Sequence, residues 1–412
     1  MRLSDSPQEA AWRQEVHDFI KSELPPDLRR GAGTQAREEE GAGSTPTTLR
    51  GGEGYRQAGG ALGDWRNKLV ERGWIAPAWP KEYGGAGLSV MEQFILNEEF
   101  AEAGAPAVGG SGVSQVGPTL IVHGTPEQKA EFLSSILKGQ TQWCQGFSEP
   151  GAGSDLASLQ TRAVRDGDDF VINGQKIWTS GAHRANMMYM LARTDTEAPK
   201  HRGITYFMLD MKTPGITIQP LINMAGNAGF NQVFFDNVRV PVRNVIGEVN
   251  RGWYIGTTTL DFERSGIGSA VGTRKTVERL IRRSKEGVAS NISTLKRNDQ
   301  LRTELADRHV EAMVALMLSY RVVSLQNAGK VPNYEASMAK LYFSELEQRI
   351  TRTALKMTGL YGMMFDPQGK YSPFRASYAR GYVGSVAATI GGGTSEVQRG
   401  IIATRGLGLP RD

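Results

Sequence analysis

Apolar and polar positions follow three successive styles along the chain. Residues 1–28 and 64–140 read as helical, and Ser6, Pro7 and Glu9 predict where the first helix begins. They supply an N-cap hydroxyl, a first-turn proline and a capping-box acid. From about 141 to 245 the pattern changes to strands: ITYFML (204–209), GITIQPL (215–221) and QVFFDNVRVP (232–241), punctuated by Gly and Pro. The run DFVINGQKIW (169–178) places Asn173-Gly174 between two β-rich halves, which predicts a hairpin turn at that dipeptide. After about 246 the chain is helical again. Met338, Tyr342, Leu346, Ile350 and Ala354 recur at four-residue spacing with Leu341 beside them, one apolar stripe on a long helix. Helices, then an antiparallel β-domain, then helices is an α+β layout, not an alternation of β-α units. The predicted parts are 1–140, 141–245 and 246–412.

Composition alters this picture in a few places. Residues 29–63 hold ten glycines and little apolar material, which predicts an exposed loop within the first helical part. A single cysteine, Cys144, excludes an internal disulfide and fits a reducing compartment. The N-terminus has no apolar signal core, and no stretch approaches the roughly 20 apolar residues of a membrane-spanning helix. The expected location is therefore cytoplasmic, with no membrane span. Five scattered histidines show no metal-ligand spacing. The net charge of +5 is spread over 412 residues with both signs interleaved, which argues for a solvated surface and against nucleic-acid binding.

Three motifs carry candidate chemistry. GFSEPGAGSD (146–155) is a strand end running into a Gly-rich turn with small hydroxyl residues. Such a loop exposes backbone N–H groups to a planar or anionic ligand, but taken alone it reads first as an ordinary tight loop. It matches neither the GxGxxG nor the GxxxxGK[ST] pattern. KIWTSG (176–181) sets a tryptophan beside two hydroxyls, an aromatic wall for a flat heterocycle or else a core tryptophan. GGGTSEVQR (391–399) begins with three glycines, which let backbone approach a ligand closely or serve as a hinge.

In this order and at these separations, the motifs resemble those of the acyl-CoA dehydrogenase family. The likeness covers nearly the whole chain, including GWIAPAWPKEYGGAGLS (73–89) and VPVRNVIGEVNRGW (240–253). It implies an N-terminal helical domain, a middle antiparallel β-domain and a C-terminal four-helix bundle, with FAD as cofactor. Carried over residue by residue, Phe147 and Ser148 would line the flavin ring, and Trp178, Thr179 and Ser180 would pack against it and hydrogen-bond to it. Thr394 and Glu396 would sit near its ribityl–phosphate region, and Ser154 would contact the CoA moiety.

Flavin-dependent desaturation needs a carboxylate to take the α-proton of the thioester. Many family members place that glutamate two residues before the Thr of GTS; here the position is Gly392. Others, such as isovaleryl-CoA and long-chain dehydrogenases, place it on the first bundle helix, and TTLDFERSGIG (257–267) supplies Glu263 there. The resemblance thus implies Glu263 as base, with Asp261, Arg264 and Gly392 on the substrate side. Adjacent residues on a helix do not face each other, so Arg264 need not neutralise Glu263.

The chain departs from homotetrameric members at the Arg…Phe-Gly segment, and at LKMTGLYGMM (355–364) where those members carry Gln…Gly-Gly. In this it resembles bacterial dehydrogenases that include steroid side-chain enzymes, some of them heteromeric. The implied partners are an acyl-CoA, an electron-transfer flavoprotein as acceptor, and further subunits in a homo- or hetero-oligomer. Two alternatives stay open: a non-catalytic or partner-dependent subunit, and a flavin oxidase or monooxygenase on the same scaffold.

Overall fold

The computed structural model describes residues 4–29, 49–50, 59–261, 267–286 and 298–410. In chain order the helices are α1 (Pro7–Glu23), α2 (Gly60–Glu71), α3 (Val90–Ala103), α4 (Gly117–His123), α5 (Pro126–Leu137), α6 (Gly252–Asp261), α7 (Ile267–Glu286), α8 (Asp299–Asn327), α9 (Tyr334–Thr358), α10 (Ser377–Gly384) and α11 (Ser395–Ile401). The strands are β1 (Leu49–Arg50), β2 (Trp143–Gly146), β3 (Arg162–Asp166), β4 (Asp169–Lys176), β5 (Met187–Arg193), β6 (Ile204–Asp210), β7 (Ile216–Leu221) and β8 (Phe230–Pro241). They form two compact units. One comprises Phe19–Leu88 and Gly104–Arg264; the other comprises Met1–Asp18, Ser89–Ala103 and Ser265–Asp412.

The N-terminal cap is built as the sequence predicts. The Ser6 backbone N–H donates to Glu9 Oε2 at 2.6 Å and the Glu9 N–H donates to Ser6 Oγ at 3.3 Å. Two described parts of the Gly-rich stretch belong to regular elements. Leu49 and Arg50 pair antiparallel with Ile218 and Thr217 of β7, and α2 begins at Gly60, ahead of residue 64. Gly63 is buried within α2, so it serves close packing there and not chain freedom. Residues 30–48 and 51–58 of that stretch lie outside the described residues.

In the first unit the sheet runs β1-β7-β8-β4-β3-β5-β2, with β6 on β5. It is largely antiparallel, as the sequence predicts, and mixed at one side: β2 lies parallel to β5, from Trp143↔Met187 to Gly146↔Met190, and β3 meets β5 in parallel at Arg162↔Arg193. Parallel neighbours need a long crossover, and the Gly-rich loop with the β3–β4 hairpin supplies one. Every residue of β5 is buried, as is every residue of β6 except Asp210. Both faces of these strands are therefore covered, and they read as continuous apolar runs without alternation. Phe170, Ile172, Met188, Met190, Phe207 and Val233 are among the shared core, each contributing about 1.5–3 kcal/mol by burial.

The predicted turn at Asn173-Gly174 is corrected by the structure. The hairpin turn sits at Gly167-Asp168, between β3 and β4, and Asn173-Gly174 lies inside β4. There Ile172 pairs with Val238 and Gly174 with Phe235, so Asp236 and Asn237 together oppose Asn173. This is a β-bulge. Asn173 Nδ2 donates to Asn237 Oδ1 at 3.2 Å, and the Asn237 N–H donates to Asn173 Oδ1 at 2.8 Å. Gly174 has φ +144, and a Cβ there would lie 2.7 Å from Thr161 Oγ1 and 2.8 Å from its Cα. Asn-Gly therefore marks a bulge and a close strand approach, both of which use the same residue types as a turn.

On the helical side of this unit, Gly117 in α4 packs against the buried Trp79 indole. A Cβ at Gly117 would come within 1.8 Å of Trp79 Cζ2, and Trp79 Nε1 is already committed to Val113 O at 3.1 Å. Gly117→Ala is accordingly expected to destabilise by about 1–3 kcal/mol or more through overpacking, read as a lowered midpoint in denaturant.

The second unit is helical. Val277, Leu280, Leu301, Leu305, Leu346 and Ile350 join α7, α8 and α9 in one core. The predicted stripe on α9 is present: Leu346, Ile350 and Ala354 are buried and Tyr342 packs against them, whereas Met338 is 38 % exposed at the N-terminal end. Arg13 on the first turns of α1 bridges Glu98 and Glu99 of α3 at 2.7 and 2.8 Å.

Candidate functional site

Two of the three motifs come together in the first unit. β2 ends at Gly146 and β4 at Lys176, and the loops that continue them lie side by side: the Ile177 N–H donates to Ser148 O at 2.9 Å. Lys176 has the same strand parity as Phe170 and Ile172, so it points into the interior and is wholly buried. Its Nζ donates to Glu149 Oε1 at 2.7 Å and to Phe147 O at 3.0 Å. Glu149 also accepts the backbone N–H groups of Gln160 at 2.6 Å and Thr161 at 3.0 Å.

Burial pushes the Lys176 ammonium down to about 8, with the charge of Glu149 pulling the other way. For Glu149, burial acts against ionisation, but the charge and hydrogen bond of Lys176 prevail and hold its carboxyl below the usual range. Neither residue stands out from spacing alone. The signal was a lysine on the apolar face of a strand, which calls for an unseen carboxylate.

The phenyl ring of Phe147 is buried edge-on to Tyr189 and Tyr206, with centroids 5.7 and 6.0 Å away. It belongs to the interior, and only its backbone is left to face a ligand. Trp178 is the opposite case. It is 58 % exposed, at φ +60, with its ring edge-to-face on Phe230 at 5.8 Å. A bulky residue in the left-handed region is strained and persists only when its surroundings over-determine it. On the far side the Thr179 N–H donates to Asn231 O at 3.0 Å, and Asn231 Nδ2 donates back to Thr179 O at 2.9 Å.

Thr179 itself is fully buried, and its Oγ1 has no hydrogen-bond partner among the described residues. A buried hydroxyl without a partner is costly and points to a group that completes it. Ser180 is exposed beside it. Ser154 is exposed in the Gly-rich loop, next to Asp155, which pairs with Lys200 at 3.0 Å.

The third motif lies in the other unit. Gly392 and Gly393 take φ +66 and +86. A Cβ at Gly392 would meet nothing nearer than Lys340 Cε at 3.9 Å, so the position is open on its side-chain side. Lys340 of α9 donates to Gly393 O at 2.6 Å and Ala388 O at 3.2 Å, and its burial lowers its pKa. Thr394 caps α11 by accepting the Val397 N–H at 3.2 Å. Glu396 is exposed and its carboxyl is held below the usual range by its own backbone N–H and the Thr394 hydroxyl. Thr394 and Glu396 line an open cleft of about 480 Å³ together with Ser395, Arg349, Arg352 and Arg399. Asp261 closes α6, while Glu263 and Arg264 lie outside the described residues.

A rigid, exposed indole beside an unsatisfied buried hydroxyl suits a flat group that carries hydrogen-bonding atoms. In the cleft Arg399 is paired with Glu345 and Arg349 with Glu311, so its arginines are partly neutralised. Among the described residues no helix is long and apolar enough to cross a membrane.

Comparison with known proteins gives three family-model matches in succession. The acyl-CoA dehydrogenase N-terminal domain matches residues 53–140, the middle domain 144–238 and the C-terminal domain 250–407. The chain is 37 % identical over 351 residues to acyl-CoA dehydrogenase IpdE1 of Mycobacterium tuberculosis, covering 84 % of this chain and 88 % of that one. It is similar to a solved structure of the Tcur3481-Tcur3483 steroid ACAD, with TM-score 0.80, 34 % identity and full coverage of both chains. It is similar also to the ChsE4-ChsE5 complex from Mycobacterium tuberculosis, with TM-score 0.79, 33 % identity and again full coverage of both.

Proposed function

Because the chain belongs to the acyl-CoA dehydrogenase family and is an oxidoreductase of acyl-CoA thioesters, we propose that it binds FAD and desaturates its substrate at the α,β bond with Glu263 as base. The observation that carries the cofactor assignment is Trp178, exposed and left-handed, beside the unpartnered buried hydroxyl of Thr179. Trp178, Thr179 and Ser180 would hold the ring, aided by Ser148 and the backbone of Phe147. Thr394 and Glu396 would hold the ribityl–phosphate region. When bound, FAD supplies an acceptor for the β-hydride.

The chain's own residues do the rest. Glu263 takes the α-proton. The thioester oxygen gains negative charge as that proton leaves, and the Gly392 N–H would donate to it. Ser154, Asp261 and Arg264 would orient the acyl-CoA. The missing side chain at Gly392, with open space around it, supports a bulky or branched acyl group. The similarity to a steroid ACAD supports a steroid-linked acyl-CoA as the test substrate. An electron-transfer flavoprotein would carry the electrons onward.

A second arrangement is favoured by one observation: the ChsE4-ChsE5 neighbour is a complex of two chains. Here the chain would need a non-identical partner to complete its cofactor site. The visible spectrum of the protein purified alone, followed by anaerobic titration with straight, α-branched and steroid-linked acyl-CoAs, separates the two. A yellow protein bleached by branched or steroid-linked thioesters supports the self-sufficient enzyme. A colourless protein that turns yellow only with a partner chain supports the second arrangement. Equal bleaching by all thioesters would remove the substrate assignment.

A further inference from the structure

The buried pair Glu149–Lys176 has no part in the chemistry above, yet it lies at the root of both loops that would carry the flavin ring. Lys176 Nζ grips Phe147 O and Glu149 Oε1, the residues on either side of Ser148. Ser148 O in turn receives the Ile177 N–H, one residue before the strained Trp178. Glu149 ties the same loop to the start of β3 through the Gln160 and Thr161 N–H groups. One ammonium group therefore fixes both flanks of the carbonyl that anchors the near side of Trp178. The far side depends on a different fixture, the Thr179–Asn231 pair of hydrogen bonds.

We propose that Glu149 and Lys176 are positioning residues for the cofactor edge: through Ser148 they hold Trp178 exposed and left-handed and so set the seat of the flavin ring. This rests on the assignment of that edge to FAD. An exposed tryptophan in this conformation relaxes unless it is clamped on both sides. Loss of the near clamp should free residues 177 and 178 while leaving Thr179 held by Asn231. A general loss of stability would not divide the segment in that way.

The test uses the full chain with Lys176→Met/Glu149→Gln, in which the glutamine removes the carboxylate that Lys176→Met alone would strand. Gly117→Ala, in the same unit but remote from the pair in sequence and contacts, controls for destabilisation as such. Residue-resolved amide exchange on cofactor-free protein is expected to quicken at least about tenfold at Ile177, whose N–H is bonded to Ser148 O, in the double variant. It should not change at Thr179, nor at Ile177 in Gly117→Ala. With FAD added, the double variant should bind at least about tenfold more weakly and show a shifted visible band, while Gly117→Ala keeps the wild-type spectrum. Unchanged exchange at Ile177, or the same acceleration in Gly117→Ala, overturns the clamp. Quickened exchange with an unchanged spectrum and FAD affinity overturns its link to the cofactor. A wild-type protein that takes up no FAD either alone or with a partner chain overturns the cofactor assignment, and the exchange experiment then still decides the clamp.

Discussion

Glu263→Gln is expected to lower the rate of anaerobic flavin reduction by acyl-CoA about 10²–10⁴-fold, the usual worth of a positioned general base. Glutamine keeps the shape and polarity of the side chain and removes only its capacity to accept a proton. Cofactor content and the acyl-CoA dissociation constant should therefore stay near wild type, so the loss falls on the chemical step and not on binding. Gly392 offers no replacement, because the loop position that carries the base in many relatives has no side chain here. Stopped-flow bleaching of the visible band checks this. A variant that bleaches within about threefold of wild type would place the base elsewhere.

Lys176→Met should cost about 3–5 kcal/mol of stability at neutral pH, the range for removing one member of a buried ion pair. It leaves the Glu149 carboxylate enclosed with only two backbone N–H donors, from Gln160 and Thr161, and leaves Phe147 O without its ammonium donor. The pH dependence has a definite sign. In the wild type the Glu149 carboxyl is held below its ordinary 4.5, so its contribution is present above about that pH and is lost as pH falls through the lower native value. In the variant burial acts on Glu149 with only the Gln160 and Thr161 hydrogen bonds left to oppose it, so the carboxyl protonates at higher pH than in the wild type and relieves the stranded charge. The stability gap should be full at neutral pH and narrow as the solution is acidified through about 4.5. Denaturant midpoints at a series of pH values measure it, and a gap that widens toward acid would contradict the assignment.

What the sequence disclosed and what it hid follow the range of the interactions concerned. The Ser6–Glu9 cap, the runs that became β6, β7 and β8, and the α9 stripe all depend on neighbours a few residues away, and all were legible. The ordered motifs identified the family because backbone approach and an aromatic wall each demand particular residue types. Asn173-Gly174 misled because its local chemistry serves a turn and a bulge alike; the deciding contact comes from Thr161, in the neighbouring strand's approach. The parallel pairing of β2 with β5 joins segments some forty residues apart, and no local pattern announces it. Lys176 could be placed on an inward face by parity, but its partner, 27 residues earlier, could not be named. The unsatisfied hydroxyl of Thr179 becomes visible only once every neighbour is in place.

The bulge opposite Asn173 also governs how β8 tolerates changes in length. Burial falls on Asn231, Val233 and Phe235, then on Val238 and Val240. Asp236 and Asn237 are the two outward residues that let the odd-numbered set hand over to the even-numbered one on the same face. Losing one of this pair would restore simple alternation and leave Val238 and Val240 facing inward. A single deletion at residue 232 or 234 would instead turn the residues on one side of it to the opposite face. Insertions and deletions that survive in this strand should therefore collect at 236–237, where the ladder is already one residue out of step.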